Sequence, residues 1–282
     1  MLPIPPERPR RIRASRAVAV LLGCCPIVVS GQERPVWEIG VAGGGAYVPD
    51  YPASGQNQST GLVLPYAMYR GDIIRADQDG VRGEVDLSRR LQFQIGVDAS
   101  FSARSRDNPQ RRGLPDLDYV VEVGPSLEYR LWRSGTQQLY AVAQWRGAFA
   151  VGERGIADTG HAIEPQLVYR QRRWLGSRAE LSISASSKFA DRRFNGYYYD
   201  VPAAFVTPRR PAYRASGGYQ QTALSSAIYW PLTPRLSIVT AQQLLLHDGA
   251  ANEGSPLFRN RINVAVGFGL AYSLLVSEQV AR

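Results

Sequence analysis

Two histidines, His161 and His247, are the only ones in the 282 residues. A hydrolase needs a nucleophile, a base and an orienting group held together. Loop serines such as Ser54 and Ser255 are within conceivable reach of either histidine, but no spacing fixes a pair. Two isolated histidines are too few for a zinc site. Asp77, Asp79 and Gly80 begin like a calcium loop and lack the remaining ligands, so they fit a tight turn. Gly43-Gly44-Gly45 lies inside an alternating segment, with no Lys-Ser/Thr and no helix after it, so it is not a phosphate loop. Small residues there let a strand bend or another side chain enter. We therefore expect no catalytic residue, no cofactor and no metal. A lipid-modifying or proteolytic enzyme using His161 or His247 is the least favoured reading.

Both cysteines, Cys24 and Cys25, lie near the N-terminus. Arg8, Arg10, Arg11, Arg13 and Arg16 precede an apolar run from Ala17 to Val29, and small residues follow at Ser30 and Gly31. This is the pattern of a secretory signal peptide. We expect residues 1–31 to be removed near Gly31, leaving 32–282 as one domain without a thiol. Leu21-Leu22-Gly23-Cys24 also has the form of a lipobox, but the apolar run continues past Cys25 and no polar linker follows.

The formal charge is +9, from 33 Lys and Arg against 24 Asp and Glu. Losing five Arg and Glu7 with the leader lowers it to +5, which removes the main support for a nucleic-acid partner. Lys188 is the sole lysine. With 44% hydrophobic and 20% charged residues, the chain is too apolar for disorder and too polar for a helical polytopic membrane protein. No internal stretch reaches the ~20 apolar residues of a membrane helix.

The elements that must position these side chains are strands. Leu91 to Ala103 alternates at every position: Leu91, Phe93, Ile95, Val97, Ala99, Phe101 and Ala103 against Gln92, Gln94, Gly96, Asp98, Ser100 and Ser102. Arg261 to Leu274 repeats the pattern. No window carries a sustained helical stripe. The pattern predicts strands at 36–48, 60–70, 72–78, 81–88, 91–103, 118–131, 138–150, 159–171, 177–190, 217–231, 235–246 and 261–275. Many exceed the five or six residues usual in soluble sandwiches and suit tilted membrane crossings. Connections alternate between short turns and longer loops at 49–59, 104–117, 151–158, 191–216 and 247–260. The fold class is thus all-β: a transmembrane antiparallel up-and-down β-barrel of 12 strands, with 10 as the alternative and both termini in the periplasm. A soluble periplasmic β-protein is the competing fold. Tyr66, Tyr69, Tyr129, Trp132, Tyr140, Trp174, Tyr229, Trp230 and Tyr272 sit near strand ends, where interfacial girdles belong.

Parity sends Arg82, Glu84, Asp86, Asp98, Glu122, Glu128, Arg130, Arg146, Glu164, Arg170, Arg178, Glu180 and Lys188 into the lumen. Both signs occur in similar number, so a narrow, salt-bridged interior is expected. The short turns would present Arg89, Arg90, Arg133, Arg172, Arg173 and Trp174 to the periplasm; Arg and Trp are common interface anchors.

Four stretches resemble the MltA-interacting protein (MipA)/OmpV family of Gram-negative outer-membrane proteins. They are Gly43 to Tyr51, with its Tyr-x-Pro-x-Tyr corner; Leu64 to Asp72; Arg112 to Asp118; and Phe194 to Val201 with Pro211 to Gly218. The usual acidic-Gly-Ser after the first tyrosine corner reads Pro52-Ala53-Ser54 here, and the chain runs past Tyr272 to Arg282 rather than ending on an aromatic. The resemblance implies a barrel in the cell outer membrane, among outer-membrane lipid and lipopolysaccharide. It also implies a scaffold role between a lytic transglycosylase and a peptidoglycan synthase. It carries over no catalytic residues. Two further readings stay open, a narrow pore or binding protein for small solutes and the enzyme.

Overall fold

The structure is a computed structural model and describes residues 37–70, 74–77, 80–88 and 90–278. The leader, its cleavage point and Cys24 lie outside the described residues, as does Arg89. Among the described residues twelve strands run β1 Trp37–Pro49, β2 Asn57–Arg70, β3 Ile74–Asp77, β4 Gly80–Asp86, β5 Leu91–Ser100, β6 Tyr119–Ser134, β7 Gln137–Gly152, β8 Gly155–Gln171, β9 Glu180–Ala190, β10 Gly218–Pro231, β11 Leu236–Leu246 and β12 Ile262–Val276. Each pairs antiparallel with its sequence neighbours, and β1 pairs with β12 to close the barrel. Long connections gather at one end, here the upper. Short turns gather at the lower end, where β1 begins and β12 ends.

Alternation explains the wall. Val264, Val266, Phe268, Leu270, Tyr272 and Leu274 of β12 are all exposed on the outer face, while Asn263, Ala265 and Ser273 are buried on the inner. An apolar exterior around a polar interior, on a sheet closed by strand pairing, is the arrangement that lipid requires. Trp37, Tyr129, Trp132, Trp230 and Tyr272 point outward near the lower rim. Two expected girdle residues do not: Tyr140 and Tyr229 are buried. Tyr140 donates to Gln138 Oε1 at 2.5 Å, and the Tyr229 and Ser237 hydroxyls pair at 2.9 Å. Their hydroxyls are satisfied by lumen partners rather than by the interface.

Two glycines set the closeness of the strands. A Cβ on Gly44 would lie 2.3 Å from the Phe268 carbonyl oxygen, and one on Gly124 2.3 Å from that of Trp145.

The upper connections differ from the expected open loops. The segment 151–158 is no loop: β7 and β8 run on to a two-residue turn, with Gly152 opposite Gly155. The segment 191–216 contains a helix, α1 (Arg192–Tyr199), begun by Asp191, whose Oδ1 accepts from Phe194 N at 2.7 Å. Eight residues are too short to show a stripe, which is why periodicity missed it. Among the described residues no helix is long and apolar enough to cross a membrane.

Candidate functional site: a capped, charge-paired lumen

Strand parity and register together build the lumen. Near the lower end Arg170 on β8 forks onto Glu128 on β6, with Nη1 to Oε1 at 2.8 Å and Nη2 to Oε2 at 2.7 Å. Tyr140 lies beneath the guanidinium at 4.5 Å. Higher up, Lys188 Nζ on β9 sits 3.1 Å from both Glu122 oxygens and 3.5 Å from Glu164 Oε2. Beside it Arg146 Nε meets Asp98 Oδ2 at 3.0 Å, and its Nη1 reaches the Gly124 carbonyl at 2.7 Å. A Cβ on Gly96 would lie 3.0 Å from Arg146 Nη2, so that glycine makes room for the guanidinium.

The remaining charges fall differently. Arg130 is partly exposed and Glu180 is buried. Arg178, expected inward, is exposed in the turn below β9, because that strand starts at Glu180 and not at 177. The side chains of Arg82, Glu84 and Asp86 lie outside the described part of β4.

The upper connections fold into a cap over this lumen. Its apolar centre holds Tyr51, Leu114, Leu117, Phe194, Tyr198, Tyr199 and Leu257. Buried polar side chains rivet the loops together. Arg111 donates to the carbonyls of Tyr198 at 3.0 Å and Pro115 at 3.2 Å, and its guanidinium lies 5.4 Å from the Tyr51 ring centre. Arg210 donates to the Gln110, Arg112 and Phe205 carbonyls. Asn108 Nδ2 donates to Asp50 at 2.7 Å. The hydroxyls of Tyr51 and Tyr199 reach the Leu257 and Pro52 carbonyls at 2.8 and 3.0 Å. Burial pushes the Tyr51 hydroxyl up to about 12 and Tyr199 well above its ordinary value. Burial likewise raises Asp50 and lowers Arg111.

His247 belongs to this cap. Its Nε2 faces the Ala53 N–H at 3.2 Å and Asn263 Oδ1 at 3.1 Å, and its Nδ1 lies 3.4 Å from the Gln220 carbonyl. Burial lowers its pKa, which keeps the ring neutral. Neither candidate serine supplies a nucleophile to it. Ser54 Oγ donates to the Gln56 carbonyl at 2.9 Å and Ser255 Oγ to the Tyr199 carbonyl at 2.9 Å. His161 is half exposed at the upper rim, 3.1 Å from Asp191 Oδ2.

Between cap and charge pairs lies a cavity of about 260 Å³. Asp98, Glu122, Glu164 and Lys188 line it with Gln144, Gln166 and Gln243. Sequence reasoning did not find the rivets Arg111, Asn108 and Arg210. They lie in loops without periodicity, and their partners are up to a hundred residues away.

At the lower rim, backbone bonds tie neighbouring turns: Arg130 N to the Arg90 carbonyl at 2.8 Å and Arg172 N to the Thr136 carbonyl at 2.9 Å. Arg90, Arg133 and Arg173 are exposed, Arg172 and Trp174 partly so. Leu175, 81% exposed at a φ of 49°, forms the tip of the last of these turns.

The family model described as MltA-interacting protein MipA matches residues 41–274, which spans β1 to β12. This chain belongs to the MipA family. It is accordingly an outer-membrane β-barrel protein. No curated protein matches this chain significantly. Solved structures resemble it only in general architecture. A bacterial polysaccharide outer membrane secretin is 10% identical, with 84% of this chain and 99% of that one covered and a TM-score of 0.41. The NanC porin is 7% identical, with 83% and 100% covered and a TM-score of 0.41. The outer membrane protease OmpT from Escherichia coli is 13% identical, with 84% and 96% covered and a TM-score of 0.26. At such scores we draw nothing about function from them.

Proposed function

We propose that this MipA-family barrel is a non-enzymatic scaffold that binds peptidoglycan-remodelling enzymes at its periplasmic side. The observation that carries the reading is the tied lower rim. The Arg172–Thr136 backbone bond holds two turns in one face, so Arg133, Arg172, Arg173, Trp174 and Leu175 are presented together. Exposed Arg and Trp beside an apolar tip have the composition of an interface anchor. The family's description as MltA-interacting supports a lytic transglycosylase as one partner; a peptidoglycan synthase is the second. Residues 1–31 act as the export signal in this reading, and the lower rim faces the periplasm while the cap faces lipopolysaccharide and the outside.

Cross-linked pull-down from intact envelopes tests it. Wild-type barrel is expected to recover a murein hydrolase or synthase. Arg172→Glu with Arg173→Glu is expected to lower recovery at least several-fold while heat-dependent gel mobility stays unchanged. Undiminished recovery by that variant, or recovery of assembly machinery alone, overturns the reading.

The cavity supports a second reading, a binding protein for a small polar solute. The cap and the paired charges oppose a wide pore. Saturable solute binding by the refolded barrel, with no partner enzyme captured, favours this alternative.

A further inference from the structure

The wall of the barrel is not uniform. Only 20 residues separate Arg70 from Leu91, and they must supply two strands and three turns. The result is a β3 of four residues and a β4 of seven, where every other strand has ten or more. At ~3.3 Å per residue these strands rise only about 13 and 23 Å before tilt, against an apolar band about 25 Å tall. Among the described residues β3 pairs with β2 at Tyr69 and Arg70, and β4 pairs with β5 from Gln92 to Ile95. Above that hairpin, among the described residues, Asn57–Met68 of β2 pair on one side only, with β1. Gly96–Ser100 of β5 likewise pair only with β6.

Two observations mark the gap as open. Val63 on β2 is 73% exposed, whereas outward residues in fully paired wall, such as Leu127 and Val264, are 44% and 46% exposed. The lumen cavity is lined by Asp98, Ala99, Ser100 and Phe101 in unbroken succession. Consecutive residues of a strand point to opposite faces, so a cavity touching all of them wraps a free strand edge. The gap has a lid of its own: Gln58 Nε2 donates to the Ser102 carbonyl at 3.0 Å, and Phe101 packs on Ala46, Val48 and Ala265.

We propose that this gap is a lateral window through which a bilayer amphiphile places its polar head in the lumen cavity while its chains stay in the membrane. Edge N–H and C=O groups of β2 cannot face hydrocarbon unpaired. A hydrogen-bonding head group and its water satisfy them, and Gln144, Gln166, Gln243 and the charge pairs supply its partners inside. The cap covers the upper end of the lumen, and the window gives entry from the side. The proposal rests on the membrane-barrel reading and is independent of the scaffold reading.

Single cysteines test it in a Cys24→Ser, Cys25→Ser background. Ser100→Cys lies in the cavity at the window, Ser186→Cys in the cavity on β9, and Val264→Cys on the outer face of β12. Each folded variant carries a bimane label in phosphatidylcholine vesicles, with and without phosphatidylcholine bearing a mid-chain nitroxide. Strong quenching is expected at 264, at least half as much at 100, and less than a fifth at 186. A Ser100 label as bright as the Ser186 label, with Val264 quenched, overturns the window. An unquenched Val264 label overturns the membrane reading and the window with it. As a second variant, five residues added to each of β3 and β4 carry the hairpin past Gly96–Ser100 and are expected to remove the quenching at 100 alone. Quenching at 100 that survives this filling also overturns the proposal.

Discussion

Arg170 and Glu128 face each other inside the barrel through two parallel N–H···O bonds, and both side chains are almost wholly removed from solvent. Breaking such a pair strands a buried charge, which costs about 3–5 kcal/mol. Glu128→Ala or Arg170→Ala is therefore expected to lower the urea midpoint of the refolded barrel sharply. The double variant is expected to lose much less than the sum of the two. Additive losses in that cycle would show that the pair is not coupled.

Arg111 is expected to control the cap and not the wall. Arg111→Ala leaves the Tyr198 and Pro115 carbonyls unpaired at the centre of the loops. Trypsin is expected to cleave after Arg209 and Arg214 at least several-fold faster in the folded variant. Heat-dependent mobility should not change, because no strand pairing depends on this side chain.

Acid is expected to loosen the same cap. The unfolded chain protonates His247 near pH 6.5, and burial lowers that value in the folded state. The stabilisation is full above about 6.5 and is lost as pH falls toward the lowered folded pKa. Asp50 has the opposite sign: its pKa is raised by burial, so its share is present at low pH and lost as pH rises through the raised value. Amide exchange in residues 50–56, corrected for intrinsic rates, should accelerate between pH 7 and 5.5. His247→Gln should flatten that slope.

Gly124 and Gly135 predict contrasting costs. A methyl group on Gly124 meets the Trp145 carbonyl and pushes β6 off β7, an overpacking cost of about 1–3 kcal/mol. Gly135 has a φ of 54° in the β6–β7 turn and nothing within 4 Å of an added Cβ. Gly135→Ala is expected to cost only ~1 kcal/mol, from backbone conformation alone. Denaturation midpoints of the two alanine variants check the order.

The strand ladder was legible because lipid outside and water inside impose period two on every crossing. Leu91 to Ser100 could be read residue by residue. Strand ends were less legible, as Arg178 and the 151–158 hairpin demonstrate, because pairing above or below the bilayer needs no apolar face. Tyr140 was misplaced because an aromatic near a rim can satisfy its hydroxyl at either face. The cap was not legible at all. Arg111, Asn108 and Arg210 acquire their roles from carbonyls distant in sequence, and α1 depends on Asp191 and on the loops packed around it.

Lys188 gains a property from being the sole lysine and lying between Glu122 and Glu164 beneath Phe194. Apart from the terminal amine, the whole molecule offers acylating reagents one target, and that target lies behind the cap. Acylation needs the neutral amine, so modification by a water-borne ester reads, at a single position, both access to the lumen cavity and release of Lys188 from its two carboxylates.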